Sequence, residues 1–314
     1  MIFCGTEVKQ GEKKTVEIPV PGAKPLRAIV FCGANHGRKL VLTAGVHGCE
    51  YVGILALRRL EEELNPAELS GTVVLLPLIN SSGFYAGVKQ IVPEDGRNLN
   101  RAFPGNESGT LSSRLAFVLE QVLYPAADFL ADFHGGDHNQ ELTPLVFFPT
   151  AGEEAVNCAA LEAAKSLTVS YRVRSTANNG LYSWAVQRGI PAVLIERGGA
   201  GRWSEQEVSD CCADARALLR HFGILPGENE FRQQTEIAEA VYEEAVSNGF
   251  WYPLTNAGAR VLKDELLGYM ETEDRKKIQE VRARFDGIAL YDTFALGVKA
   301  GDLLIAYGRP LNES

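Results

Sequence analysis

Four side chains of this 314-residue sequence have the types and positions for metal-assisted hydrolysis: His47, Glu50, His134 and Glu196. His47 and Glu50 stand three apart in Gly45-Val46-His47-Gly48-Cys49-Glu50, a glycine turn that runs into a helical pattern. That spacing puts both side chains on one side of the turn. A third ligand from another strand completes a set of two histidines and one carboxylate. Such a set leaves a fourth position open for water, as in catalytic rather than structural zinc sites. Zinc in that setting lowers the pKa of the water toward neutrality and polarises a carbonyl. A nearby carboxylate then takes the proton and delivers it to a leaving amine, and Glu196 is the candidate.

Each residue also has a plainer reading. A His-x-x-Glu spacing occurs at many helix starts. His134 at a strand end is open to satisfaction by backbone groups, and Glu196 to an ion pair with Arg197. His36 and His221 lack comparable context. His138 stands four after His134 and is the one further histidine placed to join the site. Cys49, between the two candidate ligands, reads as a small packing residue.

The elements that must hold these groups are visible as a pattern. Apolar strands are predicted over 15–20, 26–32, 39–44, 72–79, 129–133, 145–148, 169–173 and 192–195. Helices are predicted over 51–64, 112–123, 153–166, 181–188 and 204–221, the last with Ser204 as N-cap. Strands alternating with helices argue for an α/β fold, a mostly parallel mixed sheet flanked by helices. Gly45 follows the strand over 39–44, Asn80 the strand over 72–79, His134 the strand over 129–133, and Glu196 the strand over 192–195. Ligands bind at the carboxyl ends of strands in open α/β sheets, so the four candidates converge on one edge.

A polar stretch over 80–110 is longer than most connections, and such loops are often functional. It holds Lys89, Arg97, Asn100 and Arg101. The planar fork of an arginine suits a carboxylate, and Asn100 beside Arg101 adds an amide to the same clamp. The alternative is a solvated loop.

Lys and Arg number 31 against 40 Asp and Glu, a formal net charge of −9. Such a chain is poorly suited to nonspecific binding of nucleic acid or of an anionic membrane surface. No apolar run reaches a membrane span, and the first residues lack the pattern of a signal peptide. The six cysteines form no CxxC pair, and reduced thiols in a cytoplasmic protein are the expectation.

After Pro226-Gly227 the character changes. Residues 231–246 are expected as an amphipathic helix or an extended connector, followed by short strands between glycine turns. Residues 261–269 faintly echo residues 298–307. Two similar β-units facing each other would make a small sandwich or barrel; two unrelated strands with similar turns would give the same echo. The expected division is 1–226 and 227–314. Exposed β edges in the smaller part would favour self-association, so a homo-oligomer stays open.

Taken in order, four motifs resemble the succinylglutamate desuccinylase/aspartoacylase family, relatives of zinc carboxypeptidases. They are Ala44-Gly45-Val46-His47-Gly48-Cys49-Glu50-Tyr51-Val52-Gly53, Asp95-Gly96-Arg97-Asn98-Leu99-Asn100-Arg101-Ala102-Phe103-Pro104-Gly105, Asp132-Phe133-His134-Gly135-Gly136, and Gly189-Ile190-Pro191-Ala192-Val193-Leu194-Ile195-Glu196-Arg197-Gly198-Gly199. The resemblance implies a zinc-carboxypeptidase-like fold with one zinc per chain held by His47, Glu50 and His134. It implies Glu196 as general acid/base, and Asn100 with Arg101 as a clamp for a substrate carboxylate. It also implies a small C-terminal β-domain resembling a barrel-sandwich hybrid; without a Met-Lys carrier motif that domain reads as a lid or wall. The sequence departs from the family at one point. Members commonly carry an oxyanion-stabilising Arg several residues before the Asp-Gly, where this chain has Val88-Lys89-Gln90-Ile91-Val92-Pro93. Lys89 or Arg97 is the candidate replacement.

The function expected is zinc-dependent cleavage of the amide of an N-acyl amino acid or a related small N-acyl amine. Its partner is a small carboxylate-bearing substrate. A metallocarboxypeptidase acting on peptides is the alternative within enzymes, and a non-catalytic ligand-binding relative is the alternative outside them. A small closed pocket formed with the C-terminal part favours the deacylase; an open groove favours the peptidase.

Overall fold

Leu40, Val41 and Leu42 show how the central sheet is built. In the computed structural model, which describes residues 1–230 and 232–311, Leu40 and Leu42 of the strand Asn35–Ala44 enter one apolar core and Val41 enters another. Phe129, Ala131 and Phe133 of the strand Phe129–His134 likewise face the first core, and Leu130 faces the second. Both faces are covered, so these strands read as continuous apolar runs rather than as alternating ones. The first core is closed by the helices Tyr51–Glu63, Glu154–Lys165 and Glu205–His221 through residues such as Leu57, Ala160 and Leu218. The second is closed by Leu111–Leu123 and Leu181–Gln187 through Leu115, Leu119 and Leu181. Each such leucine side chain taken fully out of water contributes about 1.5–3 kcal/mol. Ser204 caps its helix as expected, its side chain accepting from Glu207 N.

Among the described residues the large sheet has thirteen strands and is mixed. Its centre runs Tyr171–Ser175, Leu145–Pro149, Ala192–Glu196, Phe129–His134, Asn35–Ala44, Ser70–Leu76. Within it Leu145–Pro149 and Ala192–Glu196 pair antiparallel and the other neighbours pair parallel. Leu26–Cys32 and Glu12–Ile18 extend one side antiparallel. The expectation of a mostly parallel sheet therefore holds for the centre and for the next strand beside Tyr171–Ser175, and not beyond these, where the neighbours pair antiparallel.

The stretch expected as helix or connector over 231–246 is instead a strand, Thr235–Glu244; Phe231 lies outside the described residues. It pairs parallel with Tyr171–Ser175 and antiparallel with Leu303–Pro310, so its backbone groups are satisfied by partners distant in sequence. Beyond it the large sheet continues through Gly287–Thr293 to Gln140–Leu142. A separate four-stranded sheet holds Lys277–Arg282, Leu266–Glu271, Gly249–Pro253 and Gly297–Val298. The two echoing segments occupy these sheets in exchanged order. The short strand Arg260–Val261 joins the large sheet and is followed by Leu266–Glu271 in the small one. Gly297–Val298 lies in the small sheet and is followed by Leu303–Pro310 in the large one. Trp251, Leu267, Met270, Val298 and Leu304 share a core between them. Among the described residues no helix is long and apolar enough to cross a membrane, and all six cysteines are free.

The polar stretch over 80–110 is more ordered than a solvated loop. Asn80 Oδ1 caps the short helix Ser81–Ala86 by accepting from Gly83 N at 2.9 Å, and Asn80 Nδ2 donates to Ile91 O at 2.9 Å. Ile91–Val92 pairs with Arg97–Asn98, and Leu99–Arg101 forms a turn of 3-10 helix.

Candidate active site

The chain leaves the strand Asn35–Ala44 through Gly45, whose φ of +67° is open to glycine at little cost. A Cβ on Gly48 would stand 2.1 Å from Phe84 N, so only glycine lets the turn pack against the next crossover. Between these two glycines His47 is turned inward, and Glu50 follows at the N-cap of Tyr51–Glu63. His134 and Glu196 end neighbouring parallel strands and face each other as a register pair.

Three donors converge there. His47 Nδ1 lies 2.7 Å from Glu50 Oε1, and His134 Nδ1 lies 2.9 Å from Glu50 Oε2. The ligand atoms of the three residues lie within 4.8 Å of one another, and all three residues are buried. Burial opposes ionisation of Glu50, but the two imidazoles outweigh it and hold its carboxyl below the usual range.

Each imidazole is held from behind. Asn98 Oδ1, fixed as the oxygen because it accepts from Asn100 N at 2.8 Å, faces His47 Nε2 at 3.1 Å. Asp132 Oδ2 faces His134 Nε2 at 2.9 Å, and Thr43 Oγ1 donates to the other Asp132 oxygen at 2.7 Å. With Nε2–H donated outward, a ring that binds a metal would turn its Nδ1 lone pair toward Glu50. Two lone pairs and a carboxylate repel one another unless a proton or a cation stands among them. The set of two imidazole nitrogens and a carboxylate, each ring oriented by an outer acceptor, fits zinc.

Glu196 is 8% exposed, and its Oε2 has no hydrogen-bond partner among the described residues. Burial pushes its carboxyl well above the ordinary range, and the charge of Glu50 adds to the effect. The proposed ion pair with Arg197 does not form. Consecutive strand residues point to opposite faces, and Arg197 turns the other way, pairing with buried Asp214 and donating to Thr168 Oγ1 at 2.8 Å.

These groups open into a cavity of about 720 Å³. Lys89, Asn100 and Arg101 line it; Arg97 is exposed and lies off its lining. Lys89 Nζ is 3.5 Å from Asp302 Oδ1 and 3.9 Å from Asp137 Oδ2. Asn100 Oδ1 accepts from Leu181 N at 3.0 Å, tying the loop to the start of the next helix, and Arg101 Nη1 donates to Asn100 O at 2.8 Å. His138 is exposed and stands outside the group of His47, Glu50 and His134.

Several lining or supporting residues escaped the reading of the sequence. Asp132 had a usable signal: it stands two before His134 on one strand and so shares its face. Asn98 lay inside the stretch already singled out. Tyr242, Tyr291 and Asp302 line the cavity from the C-terminal part and carry no local signal.

Residues 36–222 match the model of the succinylglutamate desuccinylase/aspartoacylase catalytic domain. The chain is 27% identical over 280 residues to the N-alpha-acetyl-L-2,4-diaminobutyric acid deacetylase of Halomonas elongata, covering 86% of this chain and 82% of that one. It superposes with a TM-score of 0.86 and 27% identity on the product-bound ectoine utilization protein EutE (DoeB) of Ruegeria pomeroyi, covering 96% of this chain and 97% of the other. A succinylglutamate desuccinylase/aspartoacylase structure from Rhodobacter sphaeroides gives the same TM-score and identity over 99% of both chains.

Proposed function

The chain belongs to the succinylglutamate desuccinylase/aspartoacylase family, and from that premise we propose that it is a zinc-dependent hydrolase of the amide of a small N-acyl amino acid. The observation that carries this reading is the meeting of His47, Glu50 and His134 with Glu196 at one cavity. His47, Glu50 and His134 would hold the ion. Zinc bound there supplies Lewis-acid polarisation and an acidified water. Glu196 Oε2, buried and unpartnered among the described residues, takes the proton of the attacking water and returns it to the leaving nitrogen. The Arg101 guanidinium, beside Asn100, holds the substrate carboxylate. Lys89 presents its ammonium to the charge that develops on the carbonyl oxygen, in place of the family's arginine.

Residues 1–226 act as the catalytic unit. Residues 227–314, a barrel-sandwich-like unit built from the two facing sheets, act as its wall. Tyr242, Tyr291, Asp302 and Leu303 bound the cavity on that side, which favours a small acyl amino acid over a peptide. The Halomonas relative acts on an acetylated diamino acid, so acetylated diamino acids belong in the first substrate panel. The test is release of free amine from N-acetyl and N-succinyl amino acids by zinc-loaded and chelator-stripped protein. Turnover with zinc that is lost on stripping and restored on reloading supports the reading. Zinc-loaded protein inert toward the whole panel, or a rate indifferent to stripping, overturns it.

A further inference from the structure

Lys89 stands between two carboxylates that come from distant parts of the chain. Its Nζ lies 3.9 Å from Asp137 Oδ2 and 3.5 Å from Asp302 Oδ1. Asp137 is 1% exposed and is held from behind. Its Oδ1 accepts from Cys49 Sγ at 3.1 Å and from His138 N at 3.3 Å. Its Oδ2, the oxygen toward Lys89, has no hydrogen-bond partner among the described residues. A buried carboxylate oxygen in that state is costly unless a charge stands near it. Burial pushes the Asp137 carboxyl up, and the bond from Cys49 and the charge of Lys89 work against that. Asp302 is fixed too. Its Oδ2 accepts from Lys299 N at 2.9 Å and its carbonyl from Ala245 N at 2.9 Å, which leaves Oδ1 to Lys89. Lys89 itself sits on a constrained turn. Gln90 takes a φ of +52°, a region that residues other than glycine seldom adopt, and Ile91 O accepts from Asn80 Nδ2 at 2.9 Å.

We propose that Asp137 and Asp302 are positioning residues that hold the Lys89 ammonium against the cavity, the second of them reaching it from the C-terminal part. The inference rests on the role proposed above for Lys89. An ammonium has three N–H donors and no acceptor. Two carboxylates orient two of these donors, and the third is left for the cavity that Lys89 lines. A lysine side chain with no such partners spreads over many rotamers, and ordering it during the reaction costs free energy. A donor fixed beforehand stabilises developing charge without that cost.

The test is trace acylation of the full chain with an amine-reactive acetyl ester. Peptide mass spectrometry reads the labelling of Lys89 relative to the exposed Lys24. Asp137→Asn and Asp302→Asn are each expected to raise that ratio roughly two- to fivefold, the size of ion pairs open to water. In zinc-loaded protein acting on an N-acetyl amino acid, Asp302→Asn should lower kcat by a factor near the top of that range and leave KM unchanged, with recovery in Asp302→Glu. Added to Lys89→Ala, the same change should alter kcat by less than about twofold, because the group it acts through is gone. Unchanged labelling in both variants, or an equal loss of kcat with and without Lys89, overturns the proposal. Asp302 is only half-buried, so its variants decide if Asp137→Asn does not fold. A parent inert toward every acylated amino acid strikes the proposed function instead. The labelling needs no turnover and still decides whether the two carboxylates hold Lys89.

Discussion

Glu196 and His134 face each other as a register pair on adjacent parallel strands, one carrying a buried carboxylate whose Oε2 has no hydrogen-bond partner among the described residues and the other an imidazole of the candidate metal group. Under the proposed function the pairing would set a proton carrier beside the candidate metal group, although the two residues are far apart in sequence. Glu196→Gln keeps the shape and removes the base. It is expected to lower kcat by roughly 10²–10⁴-fold with zinc content unchanged. A variant that turns over within about tenfold of the parent would remove Glu196 from the mechanism.

Asp132 holds His134 through Nε2 and is itself fixed by Thr43. Asp132→Asn is expected to keep the hydrogen bond to Thr43 and weaken control of the ring. Zinc affinity, read by competition with a chromophoric chelator, should fall roughly 10–100-fold. An unchanged affinity would mean that the packing around His134 suffices to orient it.

Lys89 and Arg101 line one cavity, but their assigned jobs differ, and kinetics separate them. Arg101→Ala is expected chiefly to raise KM, because a carboxylate anchor acts in ground and transition states alike. Lys89→Ala is expected to lower kcat by roughly 10²–10³-fold, with partial recovery in Lys89→Arg. The reverse split would exchange the two roles.

Glu236 ties the strand Thr235–Glu244 to the catalytic sheet through Arg172 Nε at 3.0 Å and Arg174 Nη2 at 2.7 Å. Burial raises its carboxyl pKa, but the two guanidiniums outweigh burial and hold it below the ordinary value. A depressed folded-state pKa gives stability that is present above the unfolded value, near 4.3, and is lost as pH falls through the folded one. Glu236→Gln should therefore lose about 0.5–1 kcal/mol in urea unfolding at pH 7. The gap should close as the pH is taken below about 4; a gap independent of pH would assign the loss to packing instead.

The histidines and carboxylates at the strand ends were legible because each signal is local. A strand covered on both faces is an apolar run, and the polar residue that stops it marks the carboxyl edge of the sheet. The spacing of His47 and Glu50 across a glycine turn is also local, as is the length of the polar stretch that holds Asn100 and Arg101. Tertiary structure alone decided which neighbour each group meets. Glu196 faces the cavity and Arg197 faces Asp214 because strand parity is set by pairing, and both assignments were open in the sequence. The stretch around Thr235–Glu244, expected as an amphipathic helix or an extended connector, became a strand because Tyr171–Ser175 and Leu303–Pro310, both far away along the chain, supply its hydrogen bonds. Arg97 turned to solvent while Lys89 entered the cavity. Tyr291 and Asp302 reached the same cavity from the far end of the chain. Periodicity reports which side of its own element a residue occupies. What lies on that side depends on long-range pairing, which no short window of sequence contains.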